Sequence, residues 1–299
     1  ESPIVFADYV TLDTGTGCVH TAPGHGTEDF ETGMRYNLPV ISPVDKSGKF
    51  TKEVPEFAGM PVFETNVPII KKLAQLGALL GKGTIRHQYA HCWRCKNPII
   101  YRATEQWFAS VDGFRQAALE QIANNVKWIP SWGEDRINNM VRDRHDWCIS
   151  RQRVWGVPIP IFFCKDCHKH LVNDDTIEAV ANLFAAEGSD AWWAHTAAEI
   201  LPAGTKCECG CTEFEKETDI MDVWFDSGSS HMAVLKQRPE LEWPATMYLE
   251  GSDQHRGWFQ SSLLTSVATQ GTAPFKEVLT HGFVVDGEGR KMSKSIGNT

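Results

Sequence analysis

The chain has 299 residues, 42% of them apolar and 22% charged, which excludes a disordered tail, a collagen-like repeat and a disulfide-stapled miniprotein and leaves room for roughly two average domains. Its 38 acidic and 29 basic residues give a formal charge of −9, so a nucleic-acid partner would be held by a local basic patch rather than by bulk charge. No apolar run approaches the roughly 18 to 20 residues of a bilayer span and no basic leader precedes an apolar stretch, so a soluble chain with no membrane partner is expected. Eleven tryptophans point to a large aromatic core, the commoner cause, or to pockets built from rings.

Along the chain, residues 1 to about 80 read as mixed strands and turns, punctuated by Thr14-Gly-Thr-Gly17 and Asp45-Lys-Ser-Gly48, with one helix around Pro68 to Leu80. From Gln106 to Met140 the spacing suits helices, with Phe114, Ala118, Ile122 and Val126 four apart on one face. Trp155 to Phe163 reads as a strand broken by two prolines, and Thr176 to Glu187 as a helix inside an insertion. Ile220 to Phe225, Met247 to Leu249 and Val278 to Phe283 read as buried strands. The first two end in polar, glycine-containing turns, Asp226–Ser230 and Glu250–Gly257, each followed by a helical pattern. Strand, polar turn and helix in repetition describe an open parallel α/β sheet, whose ligands sit at the carboxyl ends of the strands.

Seven of the nine cysteines are clustered. Cys92-Trp-Arg-Cys95 and Cys164-Lys-Asp-Cys167 have the two-residue gap that lets both thiolates of a knuckle face one metal, and Cys207, Cys209 and Cys211 form a tighter third cluster. A chain with a full core favours structural zinc over disulfides. Cys164, Cys167, Cys209 and one of Cys207 or Cys211 can close one tetrahedral site. Cys92 and Cys95 then need partners: His91 or His87, or residues outside this chain. Cys18 and Cys148 read as buried small apolar residues.

The loop Arg290-Lys-Met-Ser-Lys-Ser295 carries two lysines three apart, Lys291 and Lys294, with Ser293 between them. Two ammonium groups so spaced can lie along a polyphosphate and offset the charge that grows on leaving pyrophosphate; a solvated basic loop is the plain alternative. The motif stands with Gly17-Cys-Val-His-Thr-Ala-Pro-Gly-His-Gly26, His91-Cys-Trp-Arg-Cys95, Trp147-Cys-Ile-Ser-Arg-Gln-Arg153, Trp155-Gly-Val-Pro-Ile-Pro160, Asp222-Val-Trp-Phe-Asp-Ser-Gly228 and Tyr248-Leu-Glu-Gly-Ser-Asp-Gln-His-Arg-Gly-Trp-Phe259. In this order the strings resemble the class I aminoacyl-tRNA synthetases almost end to end, and within them the bacterial isoleucyl branch, with the valyl and leucyl branches next.

The resemblance implies an α/β fold: the second half of a Rossmann-type catalytic domain, part of a β-rich editing domain and zinc-ribbon insertions. Residues 1–82 would be the C-terminal part of the editing domain, 83–105 a zinc-knuckle connection, and 106–163 connective helices returning to the catalytic domain. Residues 164–215 would be the ribbon-like insertion and 216–299 the second catalytic half. Glu250, Gly251, Asp253 and Gln254 would line the aminoacyl-adenylate pocket with Trp224 on the neighbouring strand, His281 would approach the nucleotide, and Lys291, Ser293 and Lys294 would hold the triphosphate. Trp224 could equally be a packed core ring and Glu250 a turn carboxylate.

An isoleucine pocket discriminates against valine by only about 1 to 3 kcal/mol, a case that serves as a standard example of why a second, hydrolytic site exists. By the resemblance Asp29 would bind the ammonium group of a mischarged valyl group and His20 would sit near the terminal adenosine or the water; Gly24 and Gly26 would let the loop backbone approach closely, and His25 and Glu28 are neighbours without a role. The implied substrates are ATP with Mg2+, isoleucine and tRNA(Ile), with structural Zn2+, in a monomeric cytoplasmic enzyme. The family's His-x-Gly-His signature, the threonine-rich editing strand and the anticodon domain are not in these 299 residues, so the chain is expected to be an internal piece of a ligase, inactive alone in aminoacylation. A non-catalytic tRNA- or zinc-binding module and a freestanding deacylase are the rival classes; neither needs an ATP-phosphate loop.

Overall fold

The computed structural model describes residues 3–13, 15–92 and 95–299; Thr14 of the first expected turn and Trp93 and Arg94 of the first knuckle lie outside the described residues. It contains two compact units, Glu1–Glu105 and Gln106–Thr299.

In the first unit, α1 (Thr27–Arg35) begins after Gly26 and carries Glu28 and Asp29 in its first turn and Arg35 in its last, complementing the helix dipole at both ends. Helix α2 (Val62–Gln75) starts six residues before the expected Pro68. Pro61 directly precedes it, and Gly77 at φ 68° closes it with Ala78 N–H on the Leu73 carbonyl. The strands expected before residue 80 form no ladder among the described residues; only the single bridges Val44↔Phe50 and Lys49↔Pro61 occur there. The Asp45–Gly48 turn is present: Asp45 Oδ1 accepts the Ser47 and Lys49 N–H groups at 2.8 and 3.0 Å, and these bonds hold its carboxyl below the usual range.

The second unit opens with β1 (Phe108–Ala109), α3 (Arg115–Asn124), β2 (Lys127–Ile129), α4 (Trp132–Arg142), β3 (Trp147–Cys148) and β4 (Ser150–Arg151). The expected helical stretch is thus two helices split by a strand. Ala118 and Ile122 are buried as their spacing required, while Val126 enters the core ahead of β2. The ribbon follows: β5 (Phe162–Cys164), β6 (His170–Leu171), α5 (Asp174–Glu187), α6 (Ala191–Ala194), α7 (Ala197–Ile200) and β7 (Phe214–Lys216). Its antiparallel sheet, ordered β6-β5-β7, packs with these helices around a core that includes Phe162, Val180, Trp192 and Phe214. Helix α5 starts at a capping box between Asn173 and Thr176.

After β8 (Ile220–Met221) come α8 (Val223–Gly228), β9 (Ala245–Gly251), α9 (Trp258–Gln270) and β10 (Phe275–His281). Strands β2, β10 and β9 form a parallel sheet in that order. Its core joins Trp128, Tyr248, Phe275 and Val278 to Ile122 of α3, Ile137 of α4 and Phe259, Leu263 and Leu264 of α9. Parallel strands joined through helices and covered by them give the α/β, Rossmann-type architecture expected. One expected strand is corrected: Ile220–Phe225 is strand only to Met221. The Asp222 carboxylate accepts the Trp224 N–H and starts α8, so Trp224 stands on a helix rather than on a neighbouring strand.

Candidate functional site

Strands β9 and β10 run in register to their carboxyl ends, where Thr280 faces Glu250 and His281 faces Gly251. The chain then turns through a 3-10 segment, Ser252–Arg256. A side chain on Gly251 would come within 2.8 Å of Asp253 Oδ1 and 3.7 Å of His281 Cε1, so the glycine lets these two groups converge over the strand end. Gln254 Oε1 accepts the Trp258 N–H at 2.8 Å, capping the first turn of α9. A Cβ on Gly257 would meet Gln254 Oε1 at 2.4 Å and the Trp224 ring at 2.9 Å, so Trp224 lies directly against this turn.

Trp224 is placed by Asp222, which is 5% exposed. Its carboxylate accepts Trp147 Nε1–H at 2.9 Å, pairs with Arg151 at 3.1 Å and caps α8, so the buried charge is neutralised and hydrogen-bonded. One turn on, Asp226 has its pKa raised to about 6 by burial, with the Asp222 charge adding to the effect. Glu250, Asp253 and His281 are exposed and Trp224 is 42% exposed. The strand ends therefore gather carboxylates able to take an ammonium group, an imidazole and an open aromatic face.

The loop after β10 forms a short hairpin, with Val285 bridged to Lys291 and Met292 N–H bonded to the Val284 carbonyl at 3.0 Å. Lys291 Nζ stands 3.6 Å from the Phe283 ring centroid, and Ser293 Oγ is 2.8 Å from Ser295 Oγ. Among the described residues neither Lys291 nor Lys294 is in an ion pair.

In the first unit a cavity of about 610 Å³ is lined by His20, Thr21, Pro23, His25, Tyr89 and Tyr101 among others. A Cβ on Gly24 would lie 2.1 Å from the Ile41 carbonyl oxygen, so only glycine lets this loop approach Ile41 so closely. His20 lies on the cavity, and so does His25, whose Nδ1 meets the Tyr101 carbonyl at 2.9 Å. Asp29 is not on the lining: it accepts Ala22 N–H at 3.0 Å and the Tyr9 hydroxyl at 3.4 Å, holding the loop that carries His20.

Cys164, Cys167, Cys207 and Cys209 bring their sulfurs within 4.8 Å of one another, with Cys164–Cys209 and Cys167–Cys207 each 3.5 Å apart. The Cys164 thiol is drawn down to about 6, chiefly by the Cys167 N–H. At Cys209 the Cys211 N–H pulls the same way, but the thiols of Cys164 and Cys207 push it up to about 12. Four crowded sulfurs cannot all ionise without a cation among them, which is the donor set zinc prefers. Cys211 lies outside the group and its sulfur accepts Glu213 N–H at 3.3 Å. No further group of three or more metal-binding side chains occurs among the described residues. The ring Nδ1 atoms of His87 and His91 meet the Gln88 and Tyr89 carbonyls at 2.9 Å. Cys18 is exposed rather than buried, and Cys148 is half-buried beside Gln106.

Asp222 and His255 are structural supports that the motifs alone did not single out. His255 is fully buried between Trp128, Trp132 and Phe259, its Nδ1 3.0 Å from the Ser252 carbonyl, and burial holds its pKa below the usual range. An Asp at the first position of a helical run is a readable cap; a histidine inside a polar string gives no such signal.

A family model for class I tRNA synthetases (I, L, M and V) matches residues 24–299, and the chain belongs to this family. Over the whole chain it is 66% identical to the isoleucine–tRNA ligases of Moorella thermoacetica and Carboxydothermus hydrogenoformans, and 65% identical to that of Caldanaerobacter subterraneus. The chain spans 32% of the length of each of these relatives.

Proposed function

We propose that this chain serves, within its full-length protein, as the second catalytic half and part of the proofreading site of an isoleucine–tRNA ligase. The observation that carries the reading is the gathering of Glu250, Gly251, Asp253, His281 and Trp224 at the carboxyl ends of β9 and β10, with β10 running on into the two-lysine loop. The substrates are isoleucine, ATP with Mg2+ and tRNA(Ile). The carboxylates take the amino acid's ammonium group, Trp224 packs its side chain, and His281 lies toward the nucleotide. Attack of the substrate carboxylate on the ATP α-phosphate needs no protein nucleophile, so positioning and charge carry the rate. Lys291 and Lys294 offset the charge growing on pyrophosphate, and Ser293 sits between them.

His20 and Asp29 contribute to hydrolysis of mischarged valyl-tRNA, Asp29 chiefly by holding the loop that bears His20. Cys164, Cys167, Cys207 and Cys209 would hold one Zn2+, which ties the ribbon together. A monomeric enzyme of the cytoplasm is part of this reading, and among the described residues no helix is long and apolar enough to cross a membrane. ATP–pyrophosphate exchange by the full-length protein tests the reading. Isoleucine should drive it strongly and valine weakly; exchange driven by neither overturns it.

A further inference from the structure

The two-lysine loop is held from outside its motif by two side chains. Asp286 precedes the lysines and Asn298 follows them, and the two meet: Asn298 Nδ2 donates to Asp286 Oδ2 at 2.6 Å. Each also grips the backbone between them. Asp286 Oδ1 accepts the Glu288 and Arg290 N–H groups at 3.0 and 2.9 Å, and its Oδ2 accepts Arg290 Nε–H at 3.1 Å. Asn298 Oδ1 accepts the Ser293 N–H at 2.9 Å, and its Nδ2 also approaches the Lys291 carbonyl at 3.3 Å. The Asp286 side chain is only 13% exposed although it lies in a surface loop, and its bond to Asn298, like that from Ser293 to Asn298, is part-buried.

The consequence is geometric. Lys291 leaves the hairpin strand that Asp286 fixes, and Lys294 leaves the turn closed by Gly297 N–H on the Ser293 carbonyl at 3.0 Å. Hairpin and turn are separate pieces of backbone. The Asp286–Asn298 contact, with the Asn298 bonds to Ser293 and Lys291, joins one to the other, and so fixes the backbone from which the two lysine side chains leave. A carboxylate–amide bond of this length is charge-assisted and among the stronger side-chain hydrogen bonds.

We propose that Asp286 and Asn298 form a clasp that positions Lys291 and Lys294 for polyphosphate, acting through the loop backbone without touching substrate; this rests on the ligase reading above. The amide of Asn298 supplies both a donor for Asp286 and an acceptor for Ser293, which a carboxylate at 298 cannot do opposite a second carboxylate. Asn298→Asp would set two carboxylates face to face, whereas the swap Asp286→Asn with Asn298→Asp restores one amide against one carboxylate and keeps an acceptor toward Ser293.

The test uses the full-length protein and two readouts. In isoleucine-dependent ATP–pyrophosphate exchange, Asn298→Asp and Asn298→Ala should raise KM for ATP about tenfold or more, the effect of losing a hydrogen bond to a charged group, with KM for isoleucine unchanged. The swapped pair, which restores the bond between the two side chains but forgoes those to Arg290 Nε and the Lys291 carbonyl, should recover part of the loss. In hydrogen exchange read by mass spectrometry, peptides spanning residues 290–293 should be protected in the wild type and lose protection in Asn298→Ala. The hydrogen-exchange arm needs no activity, so a wild type that exchanges no pyrophosphate overturns the ligase reading while the clasp is still judged. Unchanged protection together with an unchanged KM for ATP in Asn298→Ala overturns the clasp, as does a swapped pair no better than Asn298→Asp.

Discussion

Replacing Cys207 and Cys211 one at a time by serine separates a zinc ligand from a bystander that follows Cys209 by two residues. Zinc held by four thiolates at about 2.3 Å places its sulfurs roughly 3.8 Å apart. The four sulfurs here pair at 3.5 Å and all lie within 4.8 Å, so closing on an ion moves no pair by more than about 1 Å. The backbone explains why Cys211 stays out. Cys207 and Cys211 face each other across a turn, with Cys207 N–H on the Cys211 carbonyl at 2.9 Å and Gly210 at φ 90°, and the Cys211 sulfur is turned to the Glu213 N–H. Structural zinc contributes on the order of 10 kcal/mol to folding in small domains, and this ribbon's own core is small. Cys207→Ser should therefore lose one zinc per chain by atomic emission after dialysis against a mild chelator, and its ribbon should become protease-sensitive. Cys211→Ser should keep both its zinc and its resistance. Equal zinc loss in the two variants, or none in either, refutes the assignment.

Two further outcomes follow from the site. Gly257→Ala drives a methyl group to 2.4 Å from Gln254 Oε1 and 2.9 Å from the Trp224 ring, so one of them must move. Overpacking of this kind costs about 1 to 3 kcal/mol, and the full-length variant should show a raised KM for isoleucine with a modestly lower Tm; an unchanged KM refutes the placement of Trp224. Asp226, raised to about 6 from an ordinary value of 3.8, holds its proton more tightly folded than unfolded. Its contribution to stability is therefore present at low pH and lost as pH rises through about 6. Asp226→Asn should flatten the fall in Tm between about pH 4 and 6; an unaltered Tm–pH profile contradicts the burial argument.

Much of the second unit was legible because its signals are local. Met247–Leu249 lies inside β9 and Val278–His281 inside β10, although only Tyr248 of the first run is buried and the second strand ends two residues before the expected Phe283. Ala118 and Ile122 followed from helical spacing. Val223 to Phe225 were equally apolar, yet the carboxylate of Asp222 claims the Trp224 N–H and turns them into a helix; an aspartate between a strand and an apolar run can end the one or cap the other, and its partners Trp147 and Arg151 lie some 70 residues away in sequence. Gln254 takes on a further part through a local contact that a polar string does not announce: its side chain accepts the Trp258 N–H four residues on and caps α9. In the first unit, alternating residues before position 80 find no partner strand among the described residues, and the pattern alone cannot supply one. Three thiols within five residues could all reach a metal on paper; the Gly210 turn chooses between them.

The central claim is that the sheet end and the two-lysine loop together activate isoleucine, and Lys294→Ala in the full-length protein tests it most directly. Lys294 makes no ion pair among the described residues, so its removal breaks no salt bridge in the fold. Loss of one fixed charge facing the transition state corresponds to about a hundredfold or more in turnover. In ATP–pyrophosphate exchange the variant should lose about that much kcat while KM for isoleucine holds; wild-type turnover in Lys294→Ala would contradict the account.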